Sequence, residues 1–351
     1  MSAPHLLNPL ATPSQLSSNS SLPPELQDSI RFYTARLTQA AGILLRLPQD
    51  ITAQANVLLF RYWVEDGMMG MGMGERGWEF ADISAATLYL TAKISSSPRS
   101  LRSITNVYAF LASPIGLEYL SSSSSSSPEK QKDSPPAPDP TTYYLSESTY
   151  ITQRNHLLHL EGQILNALSF NTHVALPHPL AITYLQTLDV FSPAHNTTTS
   201  TSSSKSPPLS LPLGTRVAQR TIAHLNTALL SPQLLYLTHQ PCALATAAIY
   251  LAAREVGLRL PDVEWWEVFD VEREELGFLV VALGSCEGVV RREEGRWGSG
   301  KGKGMITRAD VLGVLGTGKL RNGNGNGVGG EEDEEAEMAR LLDEKVAGSA
   351  A

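Results

Sequence analysis

The sequence predicts an all-α protein of two tandem helical domains. Three observations carry that expectation: apolar residues recur at three- and four-residue spacing in every apolar segment, no convincing period-two alternation occurs, and one segment repeats internally.

The first helical run follows Pro48-Gln49-Asp50 and extends from Ile51 to Val64, with Ile51, Ala55, Leu58, Leu59 and Tyr62 on one face. Asp50 is the expected N-cap, because its carboxylate can accept from the free amides of a first turn. Similar runs occupy Ala81 to Ile94, Leu101 to Leu111, Tyr150 to Leu168, Pro179 to Leu188, Thr215 to Leu230, Pro241 to Val256 and Glu272 to Val290. Between them lie Ser121 to Pro140, opening on seven consecutive serines, the Ser/Thr/Pro tract Ser192 to Leu213, and a Gly-rich then acidic stretch from Gly298 onward. Such compositions bury too little apolar surface to offset chain entropy, so these are expected to be disordered insertions and a tail.

The repeat sets the architecture. Ala85-Ala86-Thr87-Leu88-Tyr89-Leu90-Thr91-Ala92-Lys93 aligns with Thr246-Ala247-Ala248-Ile249-Tyr250-Leu251-Ala252-Ala253-Arg254, the two tyrosines standing 161 positions apart. Helices this rich in alanine let neighbouring axes approach closely, as a central bundle helix requires. Each copy follows a long amphipathic run and precedes a shorter apolar-aromatic one, Ile104 to Leu111 in the first case and Trp265 to Phe269 in the second.

Composition narrows the function. The 351 residues suit two ordinary domains with linkers, 42% of them are hydrophobic, and the net charge of −8 disfavours general nucleic-acid affinity, which needs Lys and Arg on phosphates. Cys242 and Cys286 form no C-x-x-C pair, so neither a disulfide framework nor a zinc site is expected, and a reducing compartment is the default. Met1 to Ser21 has no basic-then-apolar leader pattern, and no run approaches the ~20 apolar residues that span a bilayer. A soluble intracellular protein is therefore expected.

Several motif-like strings carry little chemistry. Gly313 to Lys319 fits G-x-x-x-x-G-K, but Leu320 replaces the metal-binding hydroxyl residue. Gly72-Met73-Gly74-Glu75-Arg76-Gly77 follows a helical run and no strand, which reads as a loop. His156 and His159 share a helix face without a further ligand cluster. No nucleophile–base pairing stands out, so no enzyme and no cofactor are expected.

The residues carry a family resemblance. Gln39-Ala40-Ala41-Gly42-Ile43-Leu44-Leu45-Arg46-Leu47-Pro48-Gln49, Asn56-Val57-Leu58-Leu59-Phe60-Arg61-Tyr62, Tyr89 to Ile94, and Pro98 to Val107 resemble the first cyclin box of the cyclin L group of transcriptional cyclins. Ala247 to Arg254, Leu258 to Pro261 and Trp265-Trp266 resemble its second box. The resemblance covers roughly residues 25 to 285, apart from the insertions, and implies two five-helix cyclin folds. The implied organisation is a disordered 1–24, a first box over 25–190 with a disordered insertion at 121–140, a linker over 191–213, a second box over 214–292 and a disordered tail over 293–351.

The resemblance further implies a non-catalytic subunit that binds and activates a cyclin-dependent kinase in RNA polymerase II transcription or RNA processing, in the nucleus. In the family a lysine ending the second helix and a glutamate in the fourth hold kinase backbone, and Lys93 and Glu161 match them. Ile94, Leu165 and Phe170 match apolar positions that pack on a kinase helix. Read from the residues alone, Lys93 equally suits the negative end of its helix dipole, Glu161 a solvated face, and Leu165 and Phe170 ordinary core. Two departures stand out: Ser95-Ser96-Ser97 where the family has two acidic residues after Lys-Ile, and an acidic Glu331 to Glu335 in place of an Arg/Ser-rich tail. A general transcription factor related to factor IIB, or a scaffold that has lost kinase binding, are the other readings the tandem fold allows. Against the first stand the acidic balance and the lack of an N-terminal zinc ribbon.

Overall fold

The computed structural model describes residues 6–18, 22–66, 78–122, 143–192, 211–297 and 304–317. Among these the regular structure is helical, with no strand: α1 Pro13–Ser18, α2 Pro24–Leu44, α3 Gln49–Asp66, α4 Phe80–Ile94, α5 Leu101–Leu111, α6 Pro114–Ser122, α7 Glu147–Ala167, α8 Pro177–Thr187, α9 Leu213–Ala228, α10 Leu235–Thr238, α11 Pro241–Val256, a 3-10 turn Trp265–Phe269, α12 Arg273–Trp297 and α13 Arg308–Thr317.

The two alanine-rich helices are the hubs. α4 is surrounded by α2, α3, α5 and α7, and α11 by α8, α9, α12 and the 3-10 turn. Their small side chains explain this: Ala86, Ala92, Ala247, Ala248 and Ala252 are fully buried, so neighbouring helices close directly onto the backbone. The same logic acts between α2 and α3, where a Cβ on Gly42 would stand 2.4 Å from Thr52 Oγ1. Ala248→Leu is expected to destabilise the fold by about 1–3 kcal/mol through overpacking, measurable as a lowered denaturant midpoint at unchanged slope.

Helix ends follow one device. At the ends of α2, α7 and α8 a left-handed Arg46, Ser169 or Asp189 turns the chain, and the next residue donates its amide five positions back: Leu47 to Gly42, Phe170 to Leu165, Val190 to Leu185. Gly257 does the same for α11, with Leu258 bonding Ala253. Glycine takes this conformation freely, whereas the three non-glycine residues hold it at a cost of about 1–2 kcal/mol each.

Several expectations require correction. The N-terminal 1–24 is not structureless: residues 6–18 pack on the fold and Asn8 is 6% exposed. Asp50 lies inside the first turn of α3 and is not its cap. The tail placed at 293–351 contains the end of α12 and all of α13, with Glu293, Ile306 and Val311 buried. The start of the discounted G-x-x-x-x-G-K string, Gly313, sits within α13. The Gly72–Gly77 string, most of the serine insertion, the tract 193–210 and residues 318–351 lie outside the described residues. α2 precedes the helices that periodicity found, so Lys93 ends the third long helix of the first repeat, not the second, and Glu161 lies beyond the fourth, in α7.

The N-terminal segment stitches the repeats together. Asn8 Nδ2 donates to the Ala175 carbonyl, and Asn8 Oδ1 accepts from the Ala175 amide and from Arg61 Nη2, at 2.8, 2.8 and 3.2 Å. Its backbone exchanges two bonds with the Gln240 side chain at the start of α11. Arg61 also donates to the His173 carbonyl at 2.7 Å, and burial pushes its guanidinium down to about 10, so it stays charged at neutral pH. Farther along, Ser29 Oγ and Tyr33 OH of α2 donate to the buried Glu293 of α12, at its Oε2 and its backbone carbonyl.

Candidate docking face

The face builds up from two helix ends. α4 terminates at Ile94, because Ser95 is extended and Ser95 Oγ donates back to the Ala92 carbonyl, leaving Lys93 in the last turn. α7 begins at a Ser146 cap whose hydroxyl accepts from the Thr149 amide, and it packs along α4 through Leu157, Leu160 and Ile164. That packing sets Glu161 beside the end of α4.

Lys93 Nζ donates to Glu161 Oε1 at 2.7 Å. The Glu161 side chain is 6% exposed and that of Lys93 is 50%, so the pair is a carboxylate at the base of the face with an ammonium spread over it. Lys93 also lies 5.6 Å from the centre of the Tyr89 ring. The Glu161 hydrogen bond is the largest influence holding the Lys93 amine above its ordinary pKa, opposed by partial burial. Stability from this pair is therefore complete below the unfolded lysine pKa and fades as pH rises through the higher folded value. A decline in thermal stability above roughly pH 10, to which buried Tyr108, Tyr184 and Tyr236 also contribute, is expected to become shallower in Lys93→Met.

The apolar positions lie along the same two helix ends: Ile94 follows Lys93, Leu165 stands one turn past Glu161 on α7, and Phe170 lies just beyond the end of α7. Ile94 is 53% exposed and Phe170 68%, whereas Leu165 is half-buried and packs on the core. Phe170 projects because it and Ser169 both adopt left-handed backbone, at φ of 60° and 48°. Ser169→Gly is expected to raise stability by up to about 1 kcal/mol in chemical denaturation, since glycine relieves the strain at a chain-entropy cost.

Of the residues named from the sequence, the fold brings Lys93 and Glu161 into contact, while Leu165 packs on the core. Sequence reasoning missed that Lys93 and Glu161 pair with each other, a contact between helices 68 residues apart that no spacing rule encodes. It also missed Trp78, which stacks on His156 at 4.3 Å between ring centres, with His156 Nδ1 3.8 Å from Asp82. No cluster of three potential metal ligands occurs among the described residues, and no helix there is long and apolar enough to cross a membrane.

Several known proteins resemble most of this chain. Cyclin-L1 of Gallus gallus is 28% identical over 261 residues, 74% of this chain. Cyclin-L2 of Homo sapiens is 27% identical over the same length. An uncharacterized cyclin-L1-like protein of Schizosaccharomyces pombe is 28% identical over 281 residues, 80% of this chain and 90% of that protein. The chain is similar to cyclin L proteins. This cyclin L-like chain spans about two-fifths of the length of the animal relatives, 39% of the Gallus and 40% of the human protein. Among solved structures, a chain of the Chaetomium thermophilum CAK complex bound to ATP-gamma-S superposes with a TM-score of 0.50 at 14% identity, covering 89% of this chain and 86% of that one, a likeness of fold. No protein-family model matches the chain.

Proposed function

We propose that this cyclin L-like chain is a regulatory subunit that binds and activates a cyclin-dependent protein kinase, in the nucleus and in the service of RNA polymerase II transcription or RNA processing. The observation that carries the reading is the Lys93–Glu161 pair, with exposed Ile94 next to Lys93 and exposed Phe170 beyond the end of the helix that carries Glu161. A buried carboxylate with an ammonium above it offers an acceptor and a donor at fixed separation, suited to a partner's backbone amides and carbonyls through charge-assisted bonds. The Lys93 ammonium has three donor hydrogens, so it can keep Glu161 and still serve a partner. Ile94 and Phe170 then supply apolar area that loses water only on docking.

Activation on this reading is a population shift. A subunit that binds the kinase arrangement with its internal Lys–Glu ion pair formed better than the alternative raises the active fraction by its differential affinity. The test is reconstitution of the full chain with each of a panel of cyclin-dependent kinases, reading phosphorylation of a polymerase C-terminal-repeat peptide. At least one kinase is expected to gain activity by about tenfold or more on addition of the chain. Stable binding to promoter DNA or polymerase without stimulation of any kinase would favour the factor IIB-like reading instead.

A further inference from the structure

A second surface lies in the first repeat, where the end of α2, the start of α5 and the chain entering α7 enclose a groove of about 870 Å³. Its walls are apolar and aromatic: Leu44, Val107 and Phe110 on the helices, Tyr143 and Tyr144 on the chain, with Tyr143 edge-on to Phe110 at 4.9 Å between centres. Tyr144 is 60% exposed, an unusual outlay of aromatic surface for a solvated loop.

The rim is basic. Arg102 is neutralised by Glu147, but Arg99 gives its guanidinium to the Leu45 and Arg46 carbonyls, which are neutral. Arg46 itself is exposed at the left-handed end of α2. No acidic side chain among the described residues pairs with Arg46 or Arg99, so the groove presents two uncompensated positive charges on a protein of net charge −8.

We infer that this groove docks the acidic segment Glu331–Glu344 of the same chain. Charge and shape both match: Glu331, Glu332, Asp333, Glu334 and Glu335 complement the arginines, and Met338, Leu341 and Leu342 follow at the spacing that forms one apolar helical face. Reach permits it. The chain entering α13 passes close to the groove, since Gly304 lies against Leu117 and Leu120 of α6, and Tyr119 of α6 is 6.4 Å from Phe110 in the groove wall; α13 itself adds about 15 Å before the tail begins. The 13 residues 318–330 between α13 and the acidic segment can extend about 45 Å. A linker of Gly/Asn-rich composition places its end on average about 20 Å away, within the ~30 Å width of a small domain. Tethering at that range gives an effective concentration of order millimolar, enough to fill a groove of modest affinity.

The test is fluorescence polarisation of a labelled peptide of residues 331–344 against three full-length proteins. One is wild type, one carries E331Q, E332Q, D333N, E334Q, E335Q, L341S and L342S, and the third adds Arg46→Glu to those changes. The peptide is expected to bind the tail variant, to bind wild type at least about tenfold more weakly because its own tail competes, and to lose binding when Arg46→Glu is added. Equal binding to wild type and tail variant, or no binding to the tail variant, overturns the inference. Circular dichroism of the three proteins confirms that each is folded. Kinase stimulation plays no part in the readout, so the result stands apart from the proposed function.

Discussion

Replacing Lys93 and Glu161 together by alanine is expected to reduce recovery of a cyclin-dependent kinase with the full chain by at least about tenfold, leaving the melting temperature nearly unchanged. Lys93 is half exposed, and ion pairs of that kind contribute about 0–1 kcal/mol to folding, so the double variant removes a partially screened interaction without stranding a charge. On a partner the accounting differs. Docking excludes water from the pair, and truncating a desolvated charged contact costs about 2–5 kcal/mol, one to three orders of magnitude in affinity. The single variant Lys93→Ala behaves differently, because it leaves Glu161 buried without its ammonium, and a loss of stability accompanies the loss of binding. Affinity purification of wild type, single and double variants, each with a thermal melt, reads both quantities. Equal kinase recovery from wild type and the double variant would remove the site, and absence of any kinase from wild type would remove the function.

The second large effect is expected at Asn8, far from that face. Asn8→Ala removes three side-chain hydrogen bonds at once and leaves the Ala175 amide and carbonyl, together with one arm of Arg61, short of partners in a buried junction. Each buried polar group left unsatisfied costs about 1–3 kcal/mol, so a total of about 2–4 kcal/mol is expected after partial relaxation. For a protein of this size that lowers the melting temperature by about 3–8 °C. With the side-chain bonds gone, the Asn8 backbone keeps its two bonds to the Gln240 side chain but residues 6–18 are held less firmly, and limited proteolysis should cut that segment in the variant before the helices. A shift under about 1 °C would show that the junction is held by apolar contacts alone.

How legible each part was depends on how far apart its determinants lie. Ala85 to Lys93 and Thr246 to Arg254 announced the hub helices because small residues at helical spacing have one common structural use, close axial packing. α5 and α11 appear with the bounds their apolar patterns gave. α2 was read only as motif residues, since Gln27, Ser29, Thr34 and Thr38 interrupt its apolar stripe; the structure buries all four, and Ser29 reaches Glu293 on α12. α13 was hidden by the Gly-rich composition around it. Its stability rests on the buried Ile306 and Val311 and on the Arg308 amide bonded to Glu79, a contact made across more than 200 residues.

The docking-face residues came from resemblance, because lysine, glutamate and phenylalanine at those positions have ordinary structural uses that local pattern cannot separate from recognition. The sequence by itself determined the helical class, the tandem arrangement and the central helices, because these depend on periodicity and side-chain size within 10 to 20 residues. Only the tertiary structure decided that Lys93 meets Glu161, that Phe170 points to solvent, that Arg46 and Arg99 share a groove with Tyr144, and that Asn8 locks the repeats. Those are placements of side chains from distant segments, fixed by how helices pack and end, and the free energy that selects them exists only once the chain has folded.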